Sequence, residues 1–151
     1  MMKSVCIEPA READFEWCAR LMAGSEPWIT LRQDLDACRS KLRRPGSELF
    51  VAWQDGKRRG FILLLPYGLA GSPYISSVAV EAVARGRGLG TRLVEFAENY
   101  YAGRHHLFLC VSSFNQRAQG LYRRLGYELV GEFPDYVVEG QSELLFHKKL
   151  S

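Results

Sequence analysis

The spacing of hydrophobic positions along the 151-residue chain changes several times, and each change marks a predicted element. Residues 5–8 read as a short strand stopped by Pro9. Over 10–22, Phe15, Cys18, Leu21 and Met22 return near helical spacing until Gly24-Ser25-Glu26-Pro27 breaks the run. Thr30-Leu31-Arg32-Gln33 has the form of a capping box, and Leu31, Leu35, Cys38 and Leu42 continue it as a second helix that Pro45-Gly46 ends. The period then shortens. Residues 49–53, the pair Asp55-Gly56 and residues 60–65 read as a hairpin, 68–73 as a longer loop and 74–80 as another strand. A third helix is predicted over 91–101, with Leu93, Val94, Ala97 and Tyr100 on one face. Residues 107–111 form a strand and 115–125 a fourth helix, with Gly126 just past its end. Residues 127–130 and 142–148 close the chain as two strands.

The predicted order is β-α-α-β-β-β-α-β-α-β-β. Two strands joined through the third helix imply a right-handed crossover and a local parallel pair, while the hairpins make the rest antiparallel. The expected fold is therefore a mixed α+β domain, a mostly antiparallel sheet with helices on its faces. No repeat, low-complexity tract or linker divides the chain, so residues 1–151 are expected to be one domain.

Composition removes several classes of function. Apolar residues make up 47% and charged residues 25%, which is ordinary for a globular protein. No apolar run approaches the roughly 18 residues of a membrane span, and the opening MMKSVCIEPAREADF lacks the apolar stretch of a secretory signal. A cytoplasmic protein that does not engage membranes is expected. Cys6, Cys18, Cys38 and Cys110 show no zinc-ligand spacing, so neither a metal site nor a disulfide is expected. A net charge of +3 is too small to imply nucleic-acid binding. Its distribution carries more information. Between Arg85 and Arg124 stand seven arginines against Glu95 and Glu98, and the remainder of the chain is mildly acidic. That asymmetry suggests an anionic ligand on one side.

The stretch ARGRGLGTRL, residues 84–93, sits where a strand gives way to a helix. A glycine-rich turn at that junction exposes main-chain N–H groups at the positive end of the helix dipole, a ready site for phosphate. A Walker loop would need Gly-Lys-Ser/Thr, but the chain has Gly90-Thr91-Arg92. A dinucleotide fingerprint would need glycine at 91 and a place near the first strand of a βαβ unit. A third reading fits. Arg85-Gly86-Arg87-Gly88-Leu89-Gly90 matches the R/Q-x-x-G-x-G/A signature of the GNAT superfamily of acyl-CoA N-acyltransferases. Val78-Ala79-Val80 stands just upstream, as the strand before this loop does in that family. Asn115, Ala118, Tyr122, Gly126 and Tyr127 resemble its N-x-x-A-x-x-x-Y-x-x-x-G-F/Y segment, and the element order is similar along nearly the whole chain.

The resemblance implies a sheet of six to seven strands with about four helices, and direct transfer of an acetyl group from acetyl-CoA to a primary amine in a ternary complex. It implies that main-chain donors across Arg87 to Thr91, with Gly88, Leu89 and Gly90 between them, cradle the pyrophosphate. Val78, Ala79 and Val80 would pair with the pantetheine amides, and a main-chain N–H near Val80 would face the developing oxyanion. Arg85, Gly86, Arg87 and Arg117 are implied around the phosphates. Asn115 is implied either to contact the cofactor arm or to cap its helix. Tyr122 is the implied general acid toward the departing thiolate. Thiols titrate near 8.5 and phenols near 10, so a hydrogen bond from the phenol could supply most of that benefit.

The base is not evident. Relatives that acetylate protein N-termini often carry a glutamate on the strand matching Leu109-Cys110-Val111, where this chain has Cys110. Glu48, Tyr74 through water, Glu132 and Asp135 are the candidate proton acceptors. Acceptor selection is expected from the segments around Trp28, Tyr67 and 133–139, with Trp28, Tyr74 and Asp135 as candidate substrate contacts. Their mixture of aromatic rings and carboxylates suits a small cationic amine. A protein N-terminus, a lysine, or a non-catalytic acyl-CoA sensor are the alternatives. Members of the family are often dimers, so a homodimer is an open expectation.

Overall fold

The computed structural model describes residues 4–150. In chain order its elements are β1 (Cys6–Pro9), α1 (Phe15–Ala23), α2 (Leu35–Leu42), β2 (Glu48–Gln54), β3 (Lys57–Leu69), β4 (Ser72–Val80), α3 (Leu89–Tyr100), β5 (His106–Ser112), α4 (Gln116–Arg124), β6 (Glu128–Phe133) and β7 (Glu143–Lys149). The seven strands form one sheet in the order β1-β2-β3-β4-β5-β7-β6. Every pairing is antiparallel except β4 with β5. The mixed, mostly antiparallel sheet and four helices are those the sequence predicts.

The unbroken apolar run Phe61-Ile62-Leu63-Leu64-Leu65 is explained by a sheet covered on both faces. Side chains alternate along a strand. Phe61 and Leu63, with Leu49 and Val51, pack against Cys18, Met22, Cys38 and Leu42 of α1 and α2. Ile62 and Leu64, with Phe50 and Ala52, pack against Leu89, Leu93, Val94 and Ala97 of α3 and against Tyr122 of α4. On the first face, α1 is tied to α2 by Arg39, whose guanidinium forks onto Glu16 at 2.9 and 2.8 Å.

The feature that shapes the site is an irregularity in β4. Leu63 pairs with Ser77 and the next residue, Leu64, pairs with Ile75, so Ser76 is an extra residue in β4. The bulge reverses the facing of the strand. Ile75 lies in the α3 cluster, whereas Ala79, an even number of residues later, lies in the α1–α2 cluster. A bulge also bends its strand. Parallel pairing between β4 and β5 is limited to Tyr74–Phe108 and Ile75–Leu109, and beyond the bulge the two strands diverge.

Three expectations are corrected. The second helix does not begin at Thr30. The Thr30 N–H and hydroxyl both donate to the Glu26 carboxylate, at 2.9 and 2.8 Å, and Arg32 adopts a positive φ that no helix continues. The helix starts four residues later, where Asp34 accepts from the Ala37 N–H at 2.8 Å. The first helix is likewise shorter, since Glu12–Asp14 form a separate 3-10 turn before α1. The loop expected over 68–73 is instead a tight hairpin end. Ala70 and Gly71 both have positive φ, the pattern of a two-residue turn that matches strand twist, and β3 runs on to meet it.

Candidate active site

Where β4 ends, a 3-10 turn (Ala82–Ala84) leads into the arginine-glycine loop. Gly88 is the N-cap of α3 at φ +81°, a left-handed conformation that glycine adopts without steric cost. A glycine cap has no side chain with which to satisfy the first turn. The first hydrogen bond of α3 runs from the Arg92 N–H to the Gly88 carbonyl at 3.1 Å. The N–H groups of Leu89, Gly90 and Thr91 precede it, and they remain available at the positive end of the helix.

These donors open onto a cleft of about 670 Å³. Gly86, Gly88, Leu89, Gly90 and Thr91 line it from the loop, and Val78, Ala79 and Val80 from the diverging end of β4. Asn115, Arg117 and Tyr122 line it from α4 and its cap. Arg85 lines it too, but its guanidinium is engaged with the Val80 carbonyl at 2.9 Å and the Ser25 hydroxyl at 3.3 Å, which fastens the loop to the strand. A phosphate contact by Arg85 would compete with those bonds. Arg87 is exposed and is not brought into the lining. Asn115 caps α4, its side-chain oxygen accepting from the Ala118 N–H at 3.2 Å. Its amide nitrogen has no partner among the described residues.

A second, smaller cavity of about 270 Å³ lies on the other side of the split. Both spaces share Glu26, Trp28, Val78, Asn115, Ala118 and Tyr122. Tyr122 thus stands at their junction, its ring edge-on to Tyr127 with centroids 5.8 Å apart. Burial pushes its phenol up to about 12, so it holds its proton at neutral pH. Its hydroxyl engages no protein partner among the described residues.

The small cavity contains groups that sequence reasoning did not single out. Glu143 of β7 lies opposite Ser112 of β5, and the Ser112 hydroxyl donates to its carboxylate at 2.6 Å. Burial raises the Glu143 carboxyl above the ordinary carboxylate range, with the Ser112 bond and the charge of Lys41 opposing the shift. Lys41 of α2 reaches the same cavity, and burial lowers its ammonium. Tyr74 and Cys110 interact there, and burial raises both. The signal that could have found Glu143 is strand parity. Leu144 and Phe146 pack into the α3-side core, so Glu143 must point to the opposite face.

The other candidates fall elsewhere. Asp135 accepts from the Gly140 N–H within its own loop at 2.6 Å and does not line either space, where Tyr136 and Val137 of that loop do. Glu48 accepts from the Tyr100 hydroxyl at 2.6 Å and Glu132 from Ser142 at 2.8 Å, both away from the two cavities. Tyr67 is exposed under the Arg104 guanidinium. Among the described residues no group of three His, Cys, Asp or Glu side chains is placed to hold a metal ion, and no helix is long and apolar enough to cross a membrane.

The mixed sheet is thus split between its two parallel neighbours, and a glycine-capped helix stands at the mouth of the split. Residues 10–127 match the acetyltransferase (GNAT) family model, and the chain belongs to that family. It is 36% identical over 104 residues to an uncharacterized N-acetyltransferase of Methanocaldococcus jannaschii, covering 66% of this chain and 65% of that one. Over 76 residues it is 38% identical to a blasticidin-S acetyltransferase of Streptomyces morookaense, covering 48% of this chain and 54% of that one. The matched segments therefore span about two thirds and about half of those relatives. Among solved structures, an aminoglycoside 6'-N-acetyltransferase complexed with coenzyme A superposes with a TM-score of 0.76 at 18% identity, over 95% of this chain and 96% of that one. The ribosomal-protein-S18-alanine N-acetyltransferase of Escherichia coli gives 0.77 at 18% identity, over 98% and 95%.

Proposed function

We propose that residues 1–151 act as one acetyl-CoA-dependent N-acetyltransferase domain that transfers an acetyl group to a small primary amine. The observation carrying this reading is that two spaces meet at one tyrosine, one lined by the unpaired first turn of α3 and the other by a half-buried carboxylate. The residues present fit the donor. Leu89, Gly90 and Thr91 offer adjacent N–H groups for a diphosphate, and the β4 edge beyond Ile75, lacking a β5 partner, offers amide pairing to an extended arm. The bound donor would supply an electrophilic thioester carbonyl and a thiolate leaving group.

In the proposed reaction Glu143 accepts the proton of the acceptor ammonium, directly or through water, and frees the lone pair that attacks the carbonyl. Burial suits it to this, because a carboxylate with a raised pKa is a stronger base. Tyr122 donates a hydrogen bond to the sulfur as the carbon–sulfur bond breaks. Trp28 and Tyr74 flank the acceptor. Relatives act on acceptors of several kinds, including spermidine in the N(1)-acetyltransferase of Escherichia coli, 24% identical over 120 residues. The enclosed volume favours a small molecule over a folded protein tail.

Thiol release measured with acetyl-CoA and an amine panel tests the reading. Turnover with at least one small primary amine is expected. Binding of CoA with no thiol release for any amine would leave a sensor, and no CoA binding would reject the family's cofactor for this chain.

A further inference from the structure

The small cavity holds a positive group that amine acetylation does not require. Lys41 reaches it from α2, on the face opposite α3, and burial acts against its charge. Among the described residues no carboxylate lies within ion-pair distance of its ammonium. Glu143 shares the cavity and its charge favours the ammonium from beyond ion-pair distance, while its carboxylate is fastened to Ser112. Arg44 adds further positive potential at the Lys41 end. Desolvating an ammonium without a close counter-ion is costly, so the arrangement suits a ligand that brings the counter-ion with it.

A second observation points to the same ligand. Ser77 is 4% exposed and lines this cavity. Its hydroxyl is the one buried side-chain polar atom among the described residues with no hydrogen-bond partner. A group with that little access to water is ordinarily paired. The cavity therefore presents a cation (Lys41), a hydroxyl without a partner (Ser77) and two carboxylates, Glu143 and, where it meets the larger cleft, Glu26, which is bonded to Thr30, within a volume of about 270 Å³.

We propose that the acceptor is a small amino acid, an amine that also carries a carboxylate, with the carboxylate seated on Lys41 and the amine held toward Glu143. This rests on the acetyltransferase reading above and narrows its acceptor. The amine nitrogen forms the new bond to the acetyl carbon, the carbon–sulfur bond breaks, one ammonium proton passes to Glu143 and the thiolate leaves as CoA. The acceptor's carboxylate takes no part in the chemistry and fixes orientation. Lys41 is thus a binding residue with no role in proton transfer.

The test compares glycine, L-alanine, L-leucine and L-methionine, each against its own carboxamide, in thiol-release kinetics. The amide keeps the shape, removes the negative charge and carries a less basic amine, so acceptor reactivity alone favours the amide. For at least one pair the wild-type protein should prefer the free acid by tenfold or more in kcat/KM, and Lys41→Met should reduce that ratio at least tenfold, mainly through KM. Equal or better turnover of every amide overturns the inference, as does a wild-type ratio that survives Lys41→Met. Equal losses on acid and amide in that variant would make Lys41 a participant in the chemistry and also overturn it. If acetyl-CoA binds by calorimetry yet no free acid in the panel is acetylated, the inference fails while the parent reading stands. Absence of acetyl-CoA binding would instead reject the parent reading.

Discussion

Tyr122 and Glu143 divide the proposed chemistry between them, and each role has its own signature. Tyr122 is a phenol whose pKa burial lifts to about 12, too high to give up its proton fully to a thiolate. Its contribution is a hydrogen bond that strengthens as negative charge gathers on sulfur. Tyr122→Phe should lower kcat on the order of 10- to 100-fold, at the lower end of general-acid effects, and leave the Kd for CoA within about twofold by calorimetry. Unchanged turnover would remove the tyrosine from the mechanism. Glu143 acts as its anion, so kcat/KM should fall as pH drops through its pKa, which burial places above the ordinary 4.5. Lys41 and Ser112 act on it and oppose the shift, and Tyr74 and Cys110 face it across the same cavity. Glu143→Gln should lower kcat/KM on the order of 100-fold and abolish that acidic limb, as measured by pH–rate profiles. A limb that persists in the variant would assign it to another group.

At the scale of elements, the loop before α3 depends on a conformation more than on a side chain. Gly88 holds φ +81°, which for an L-residue costs roughly 1–2 kcal/mol. Gly88→Ala should therefore lower the melting temperature by about 2–8 °C and weaken CoA binding about tenfold or more, read by thermal denaturation and calorimetry. Full affinity in that variant would mean that the donors of the first turn do not grip the ligand. The pairing of α1 with α2 makes a different prediction. The Arg39 guanidinium on Glu16 holds that carboxyl down at about 2. A folded pKa below the unfolded value contributes stability that is present above the unfolded pKa, near 4.5, and is lost as pH falls toward 2. Glu16→Gln should thus be less stable than wild type at neutral pH, and the gap should narrow steadily below pH 4.5 in urea titrations.

The elements most legible in the sequence were those with long, consistent periodicity. The Asp55-Gly56 turn, the α3 face of Leu93, Val94 and Ala97, and Asn115 ahead of α4 all follow from local pattern alone. Thr30 misled because its neighbour Glu26 accepts from it, reversing the capping relation that the same residue types suggest. The bulge at Ser76 was not legible, since nothing local marks one extra residue in a strand whose register is set by β3. Within the site, the loop and Tyr122 were readable as motifs. Lys41 and Glu143 were not, because they come from α2 and β7 and meet only once the sheet has brought those elements together.

In the proposed reaction the two substrates meet through the split in one sheet. Helices α3 and α4 cover one face, α1 and α2 the other, and the bulge in β4 opens a passage between them that Tyr122 and Trp28 line from the two sides. The positive loop and arginine-rich α4 lie at one end of that passage, and the charged small cavity lies at the other. The reading of this passage proposed above has main-chain donors at the start of α3 and the unpaired edge of β4 together holding coenzyme A. It is tested most directly by following backbone amide resonances of the isotopically labelled protein as coenzyme A is added. The account predicts the largest shifts at Gly88, Leu89, Gly90 and Thr91, with a second group at Val78, Ala79 and Val80. Saturating coenzyme A that leaves those amides unmoved, or that moves a different surface, would contradict it.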